Sequence, residues 1–500
     1  MDLQTDTLNK TKDTAVTGDQ DTLLRCQLAK NREEASDYEG AREALGELWL
    51  GVGARPNLDG LKETTKAEVL LRTGNISGWL GSASQIEGAQ EKAKDLISES
   101  ARIFESLAET EKAAEARIDL ATCYWREGAF DEARVMLQGV LKNLGDNHSE
   151  QKLRALINSA VVEKVSTRDK DALRIHIQAA PLFEVSTNHA LRGKFHNEFA
   201  TVLKNLGIAE HREDYIDRAL VEFTAAGYHW EQAGDTRFCA AVENNIGSLL
   251  INIGKVKDAH RHLNRARQLF VSLRDKVHIA QVDETRARAC MAEGRNAEAE
   301  KLARSSVRTL EAGGEQSLLA EALTTQAAAL SRSGRHQQAA PIFQRAVEVA
   351  ENAGHPEGAG QAALSMVEEL GESLSSEIIR DAYVRAEGLL ARSQNRVLLS
   401  RLGQCARRAF AVNRQSASSG ENAISLKPFE GCSLDEEVLR FEADLIKNAL
   451  EAANGSVTRA ARLLKVTHQG LAFILQGRHK HLLSARTPIR KRRRGIMRAH

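Results

Sequence analysis

Proline is scarce in this chain, with six residues in 500, and aromatic side chains make up only 4%. Both shortages, beside abundant Ala, Leu, Glu and Arg, favour an all-helical protein. The six cysteines (Cys26, Cys123, Cys239, Cys290, Cys405 and Cys432) are scattered. They form no C-x-x-C and share no paired-histidine spacing, so they read as reduced, mostly structural thiols and not as a zinc site. No run of about 18 apolar residues exists to span a bilayer. The first twenty residues are polar and lack the apolar core of a secretory signal. A cytoplasmic protein with no membrane partner is expected. Phosphate-binding loops, dinucleotide fingerprints, H-E-x-x-H, G-x-S-x-G and EF-hand patterns are all missing. Glu and His residues fall on helical faces at i, i+4 from Lys or Arg, as on a solvated surface. His479 and His481, two apart on a helix, point away from each other. No catalytic residue, metal or cofactor is expected.

What is present is repetition. Five hundred residues at 42% hydrophobic suggest two to four domains. In the middle of the chain, helix-breaking glycines recur 40 residues apart at Gly254, Gly294 and Gly334. A small residue lies seven before each (Gly247, Ala287, Ala327), and a bulkier one four before (Leu250, Cys290, Leu330). An alanine lies five after (Ala259, Ala299, Ala339). Small residues let the two helices of a hairpin approach, and the glycine turns the chain between them. The template extends back to Gly128 with Ala121, Tyr124 and Ala133, then to Thr167 and Gly207. Degenerate units follow from Gly74 and Ser36 at one end and Gly371 at the other.

These offsets resemble tetratricopeptide repeats in a longer form of roughly 40 residues. The resemblance implies a right-handed superhelical solenoid of about nine helix pairs over residues 21–413, after a disordered segment 1–20. Each pair cannot bury its apolar face alone, so the pairs stack. It also implies a concave groove, lined by the first helix of each pair, that holds a protein or peptide. Asn197 and Asn244, ten before their breakers, are suited to a peptide backbone. Lys194 and Lys204 are suited to an acidic ligand; the alternative is an ordinary solvated helix face. Trp79 and Trp230 either touch a ligand or pin loops to the scaffold.

After a Ser-rich linker, residues 414–430, the pattern changes. Ser433 and Glu436 form a capping box that opens a helix carrying Leu434, Val438, Phe441, Leu445, Ala449 and Leu450 at helical spacing. Asn454-Gly455 ends it. Ser456 is placed to cap a second, short helix, Val457 to Leu464, and Thr467 a third from His468. Two short helices joined by a tight turn have the form of a helix-turn-helix unit. GSVTRAARLLKVTHQGLAFIL resembles the C-terminal helix-turn-helix of the Fis type, found in bacterial nucleoid proteins and enhancer-binding activators. The resembling domain spans 431–483. It departs from the family at Lys465, where a turn glycine is usual, and at Ala472, Phe473 and Ile474, where Arg or Lys is usual.

Thr467, His468, Gln469 and Gly470 form the first turn of the recognition helix, where base edges are met. Gln469 suits adenine, and His468 a guanine acceptor or a phosphate. The resemblance places Ser456 and Thr458, with Arg459 beside them, at the DNA backbone. Arg478 and Lys480 are expected near phosphates farther along. Residues 456–500 hold twelve Lys or Arg and no Asp or Glu, which leaves −11 on residues 1–455 of a chain at +1. A basic end on an acidic body is the electrostatic footprint of nucleic-acid binding. In the tail, 484–500, Arg490, Lys491, Arg492, Arg493 and Arg494 are suited to tracking phosphates or entering a minor groove. The expected protein is a transcriptional regulator bound to double-stranded DNA, and the resemblance implies a homodimer on a two-fold site. The alternative is a scaffold or adaptor whose helix-turn-helix docks protein.

Overall fold

The computed structural model describes residues 3–411 and 434–485, apart from 36, 84, 85, 87, 147 and 314, and of these not the side chains of 3–17, 82, 83, 313, 411, 434–438, 484 and 485. The linker 414–430, Ser433 and Arg490 to Arg494 fall outside these. Contacts divide the chain into two compact units, Met1–Gln415 and Ser416–His500. Both are helical, and the described residues contain no strand.

Among the described residues, the first unit holds nine helix pairs and a final single helix. They are α1 (Leu3–Glu34) with α2 (Tyr38–Leu45), α3 (Glu63–Ala83) with α4 (Ala89–Ser106), and α5 (Thr110–Arg126) with α6 (Phe130–Leu144). Next come α7 (Glu150–Val165) with α8 (Asp169–Glu184), α9 (His189–Glu210) with α10 (Glu213–Gln232), and α11 (Thr236–Asn252) with α12 (Val256–Ser272). The last pairs are α13 (Lys276–Ala292) with α14 (Asn296–Gly313), α15 (Gln316–Arg332) with α16 (His336–Asn352), and α17 (Pro356–Leu370) with α18 (Ser376–Leu390). Helix α19 (Arg396–Ala411) closes the stack.

The periodic residues do what their spacing predicts. Gly254, Gly294 and Gly334 share φ +76°, a left-handed turn that a side chain would strain, and Gly128 has φ +82°. Thr167 turns its hairpin at φ +59° without being glycine. At Gly247 an added Cβ would lie 2.6 Å from Leu263 on α12, so only hydrogen fits there. The core sits between the layers. Fully buried Phe104, Phe183, Phe223, Phe270 and Phe343 recur on second helices, each contributing about 2–3 kcal/mol of burial.

Four sequence expectations are corrected. Gly74 and Gly207 lie inside α3 and α9; an added Cβ would lie 2.6 Å from Ile97 and 2.7 Å from Ile216 respectively. They permit close approach, and the second of these hairpins turns instead at His211, φ +53°. The expected disordered start is a helix from Leu3, continuous with a stretch anchored by buried Asp19, Thr22, Cys26 and Ala29. Trp79 lies within α3, and not in an insertion, stacked 4.7 Å from Tyr38 with Arg126 3.8 Å over its ring.

First helices pack on the next first helix all along the stack, with one interruption. α1 meets α3, and α3 meets α5, then α7 and α9; α11 meets α13, then α15, α17 and α19. Between α9 and α11 the backbones do not pack closely. One apolar cluster, with Phe195 and Phe199 of α9 and Val242 and Ile246 of α11, joins them through the α9–α10 hairpin. Inside it, His189 Nδ1 lies 2.9 Å from His229 Nδ1, and His229 stacks on His196, which bonds Glu222 at 2.6 Å.

The second unit is α20 (Leu434–Ala452), α21 (Val457–Leu463) and α22 (His468–Gln476), followed by a 3₁₀ turn at Lys480–Ala485. Its core is Ile446, Ala449, Leu450, Ala453, Ala460, Ala461, Leu471, Leu475 and Leu482. Phe441 and Leu445, expected in the buried stripe, are exposed, because the inward face of α20 runs through Ile446 and Ala453.

Candidate functional site

Two regions collect the candidate residues. In the first unit, Lys194, Asn197 and Lys204 lie on α9 and Asn244 on α11, all first helices. Lys194 is exposed to solvent, and partial desolvation by the surrounding helices lowers its pKa, opposed by Glu198. Burial lowers the pKa of Lys204 too, with Lys164 and Arg288 adding to the effect. Neither lysine has a hydrogen bond or ion pair among the described residues. Asn197 Oδ1 accepts from Asn245 Nδ2 at 3.2 Å, a polar bridge from α9 to α11. Asn244 is only 8% exposed, and its Oδ1 has no partner.

Sequence reasoning missed further members of this wall. Asp119 on α5, half-buried, is pushed up to about 6 by burial; Glu321 on α15 is exposed at the surface, and partial desolvation with neighbouring Glu284 raises its pKa, opposed by Arg288. Arg288 on α13 lies within electrostatic reach of both Lys204 and Glu321. A signal existed, since these residues sit on first helices, but identical charges elsewhere are paired on the surface. Trp230 is structural: it is buried, stacks 4.3 Å from Phe238 and lies where a Cβ at Gly193 would be 2.8 Å away.

In the second unit, α20 ends with Asn454 and Gly455 both left-handed, at φ +50° and +77°. Ser456 occupies the N-cap of α21 without a side-chain capping bond. The chain then turns through Lys465 at φ +53°, and Val466 N–H bonds Ala461 O at 2.9 Å. Thr467 caps α22, its hydroxyl accepting from Gly470 N–H at 3.0 Å. Gly470 serves this cap, because a Cβ there would lie 2.9 Å from Thr467 Oγ1. The outward side of α22 carries exposed His468, Gln469, Phe473 and Gln476, with Phe473 79% exposed.

Thr458, Arg459, Arg462, Lys465 and Lys480 are also exposed, and none of these cations is ion-paired among the described residues. Arg478 differs: it pairs with Glu442 at 2.8 Å. The same carboxylate takes buried His479 at 2.8 Å, tying the C-terminal 3₁₀ turn to α20.

Neither region groups three or more metal-ligating side chains, and none occurs among the described residues. No described helix is long and apolar enough to cross a membrane. The described cysteines are free thiols.

Comparison with known proteins agrees with both units. Residues 93–157 and 278–352 match models of the tetratricopeptide repeat. Residues 438–472 match the model of the bacterial regulatory protein, Fis family. No curated protein matches the chain. Solved structures similar in fold include a Rap protein complexed with Competence and Sporulation Factor, 14% identical with TM-score 0.45. That match covers 71% of this chain and all of the Rap chain. Yeast Tom70 is 13% identical with TM-score 0.45, over 82% of this chain and 88% of its own. A STAND protein with a tetratricopeptide-repeat sensor from Pyrococcus horikoshii is 13% identical at the same TM-score, over 75% and 55%. The chain thus contains tetratricopeptide repeats, matched at 93–157 and 278–352, and a C-terminal helix-turn-helix segment, 438–472, of the bacterial Fis family.

Proposed function

We propose that this protein is a DNA-binding transcriptional regulator whose solenoid receives a protein or peptide partner. One observation carries the DNA half: the outward face of α22 has no carboxylate, shows His468 and Gln469 at its first turn, and is accompanied by unpaired cations. Amides and imidazoles at that turn meet base edges, and the cations meet phosphates. Four such cations (Arg459, Arg462, Lys465 and Lys480) give a salt slope of roughly −3 to −4 per bound copy, before any contribution from the tail.

The exposed apolar residues Phe441, Leu445, Leu463 and Val466 favour a dimer or a docked protein over an isolated domain in water. A homodimer on a two-fold site is part of the proposal. The same exposure supports the second reading, an adaptor whose helix-turn-helix binds protein.

A gel shift on duplex DNA separates the two. The full-length protein should retard duplex in a salt-dependent manner, and residues 1–420 should not. Absence of retardation by the full-length protein at low salt would leave only the adaptor.

A further inference from the structure

Helix α22 turns one large apolar side chain straight out into solvent. Leu471 and Leu475 are buried in the core of the second unit. At about 100° per residue, the direction those two share lies diametrically opposite Phe473. Phe473 is 79% exposed, and its ring meets no other aromatic ring or cation among the described residues. Its exposed neighbours on the helix are Gln469, one turn before, and Gln476, one turn after. Both point within about 60° of its direction. The outermost stripe of α22 is therefore amide, phenyl, amide.

That stripe is selective through what it omits. Helix α22 carries no Arg or Lys, which grip guanine O6 and N7, and no Asp or Glu, which accept from the cytosine amino group. A Gln amide suits the N6–N7 edge of adenine, and a phenyl ring suits the 5-methyl group of thymine. Both features belong to one kind of base pair, and both are displayed in the major groove. Gln469 to Gln476 spans about 10 Å of helix axis, the length of about three base pairs. The cations stand apart from the stripe: Arg459 and Arg462 on α21, Lys465 in the turn and Lys480 beyond α22. An exposed phenyl ring also suits a protein surface. Here, however, its exposed neighbours on α22 are amides and an imidazole, and residues 456–500 hold no carboxylate, so the surrounding charge matches a polyanion.

We propose that Phe473 is a specificity-determining residue that reads the 5-methyl group of thymine in the major groove. Gln469 and Gln476 then read adenine in the same or adjoining pairs. The inference rests on the reading of this unit as a DNA-binding domain, and supplies the base that the domain selects. The division of labour is physical: the cations on α21 and the turns position the helix on phosphates, and the uncharged stripe does the reading. Covering the ring with a methyl group removes both from water, a gain that cytosine, lacking the methyl, does not offer.

The test is selection of binding sites from a randomised duplex library by the full-length protein and by its Phe473→Ala and Phe473→Arg variants. Position 473 lies outside the core, and circular dichroism would confirm that both variants keep their fold. The wild type should enrich A·T pairs. In the selected duplex, replacing one thymine by deoxyuridine removes only the methyl group and should weaken binding about fourfold. Phe473→Ala should lose a similar factor on the thymine duplex and be indifferent to the deoxyuridine. Phe473→Arg should move the enriched base at that position to guanine. A 5-methylcytosine·guanine pair placed there keeps the methyl but loses the adenine edge, and should bind more weakly than the thymine pair. Equal binding of those two pairs would overturn the assignment to thymine. Equal affinity for thymine and deoxyuridine at every position, or an enriched sequence unchanged in Phe473→Ala, would overturn the methyl reading while leaving a DNA-binding domain. Loss of self-association in Phe473→Ala, with base preference intact, would make the ring a contact between copies instead. Retardation of no duplex at low salt would remove both this inference and the DNA reading.

Discussion

Lys465 shows how a single backbone angle trades stability against charge. Its φ of +53° places a side chain where glycine is at ease and an L-residue is strained. Lys465→Gly should relieve that strain, although added freedom in the unfolded chain offsets part of the gain. The expected net effect is about 0.5–1 kcal/mol of stabilisation of the helix-turn-helix, read from its thermal midpoint. The same substitution removes an exposed, unpaired cation beside the recognition helix. On the regulator reading, the salt slope of DNA binding should become shallower by about 0.9 per copy. A gain in stability with an unchanged slope would mean that Lys465 does not touch phosphate.

Glycines also show what the sequence could and could not disclose. The 40-residue recurrence of Gly254, Gly294 and Gly334 found real turns, all at the same left-handed angle. Gly74 and Gly207 looked alike but work in the opposite way, within helices, making room for Ile97 and Ile216. One letter serves both purposes, and only the packed neighbour distinguishes them. In the second unit, the capping threonine, the stop at Asn454-Gly455 and the order of three helices were legible from local chemistry. The burial of Ile446 in place of Leu445, and the engagement of Arg478 by Glu442, depend on tertiary packing that spacing alone does not encode.

At the scale of elements, α8 and the α9–α10 hairpin hold two buried histidines that make this part of the solenoid sensitive to acid. His176 on α8 is buried against Phe199 and His229 lies between His189 and His196. Burial lowers both to about 4, and neighbouring positive charge contributes: Lys164 and His196 near His176, and Arg192, His196 and His189 near His229. Glu198 and Glu222 oppose the shift at His176. Unfolded, each imidazole titrates near 6.5, so between about 4 and 6.5 the unfolded chain binds more protons. Stability is complete above pH 6.5 and falls as pH drops toward 4, by up to about 3.5 kcal/mol at His176 at roughly 1.4 kcal/mol per unit, and by less at His229, where solvent screens part of the effect. Denaturant midpoints at pH 7.5 and 5 should differ accordingly. His229→Phe should flatten the difference, and an unaltered pH profile would contradict this account.

For the solenoid taken whole, stability passes from neighbour to neighbour, so its ends matter out of proportion to their size. Among the described residues α19 has no second helix; it lays Leu398, Cys405 and Ala409 over the apolar faces of α17 and α18. Its Arg401 also reaches Glu368 at 2.7 Å. A chain ending at residue 395 should uncover Leu364, Leu370 and Leu390 and self-associate, detectable by light scattering. A monodisperse product of unchanged thermal midpoint would show that α18 can terminate the stack unaided.

The junction of α9 and α11 has a mechanical consequence as well. There the first helices meet through side chains, one apolar cluster and the Asn197–Asn245 bond, and interdigitated side chains slide past one another more readily than closely packed backbones. A small change of pitch at that junction would be magnified toward both extremities, while the windings on either side stay as they were.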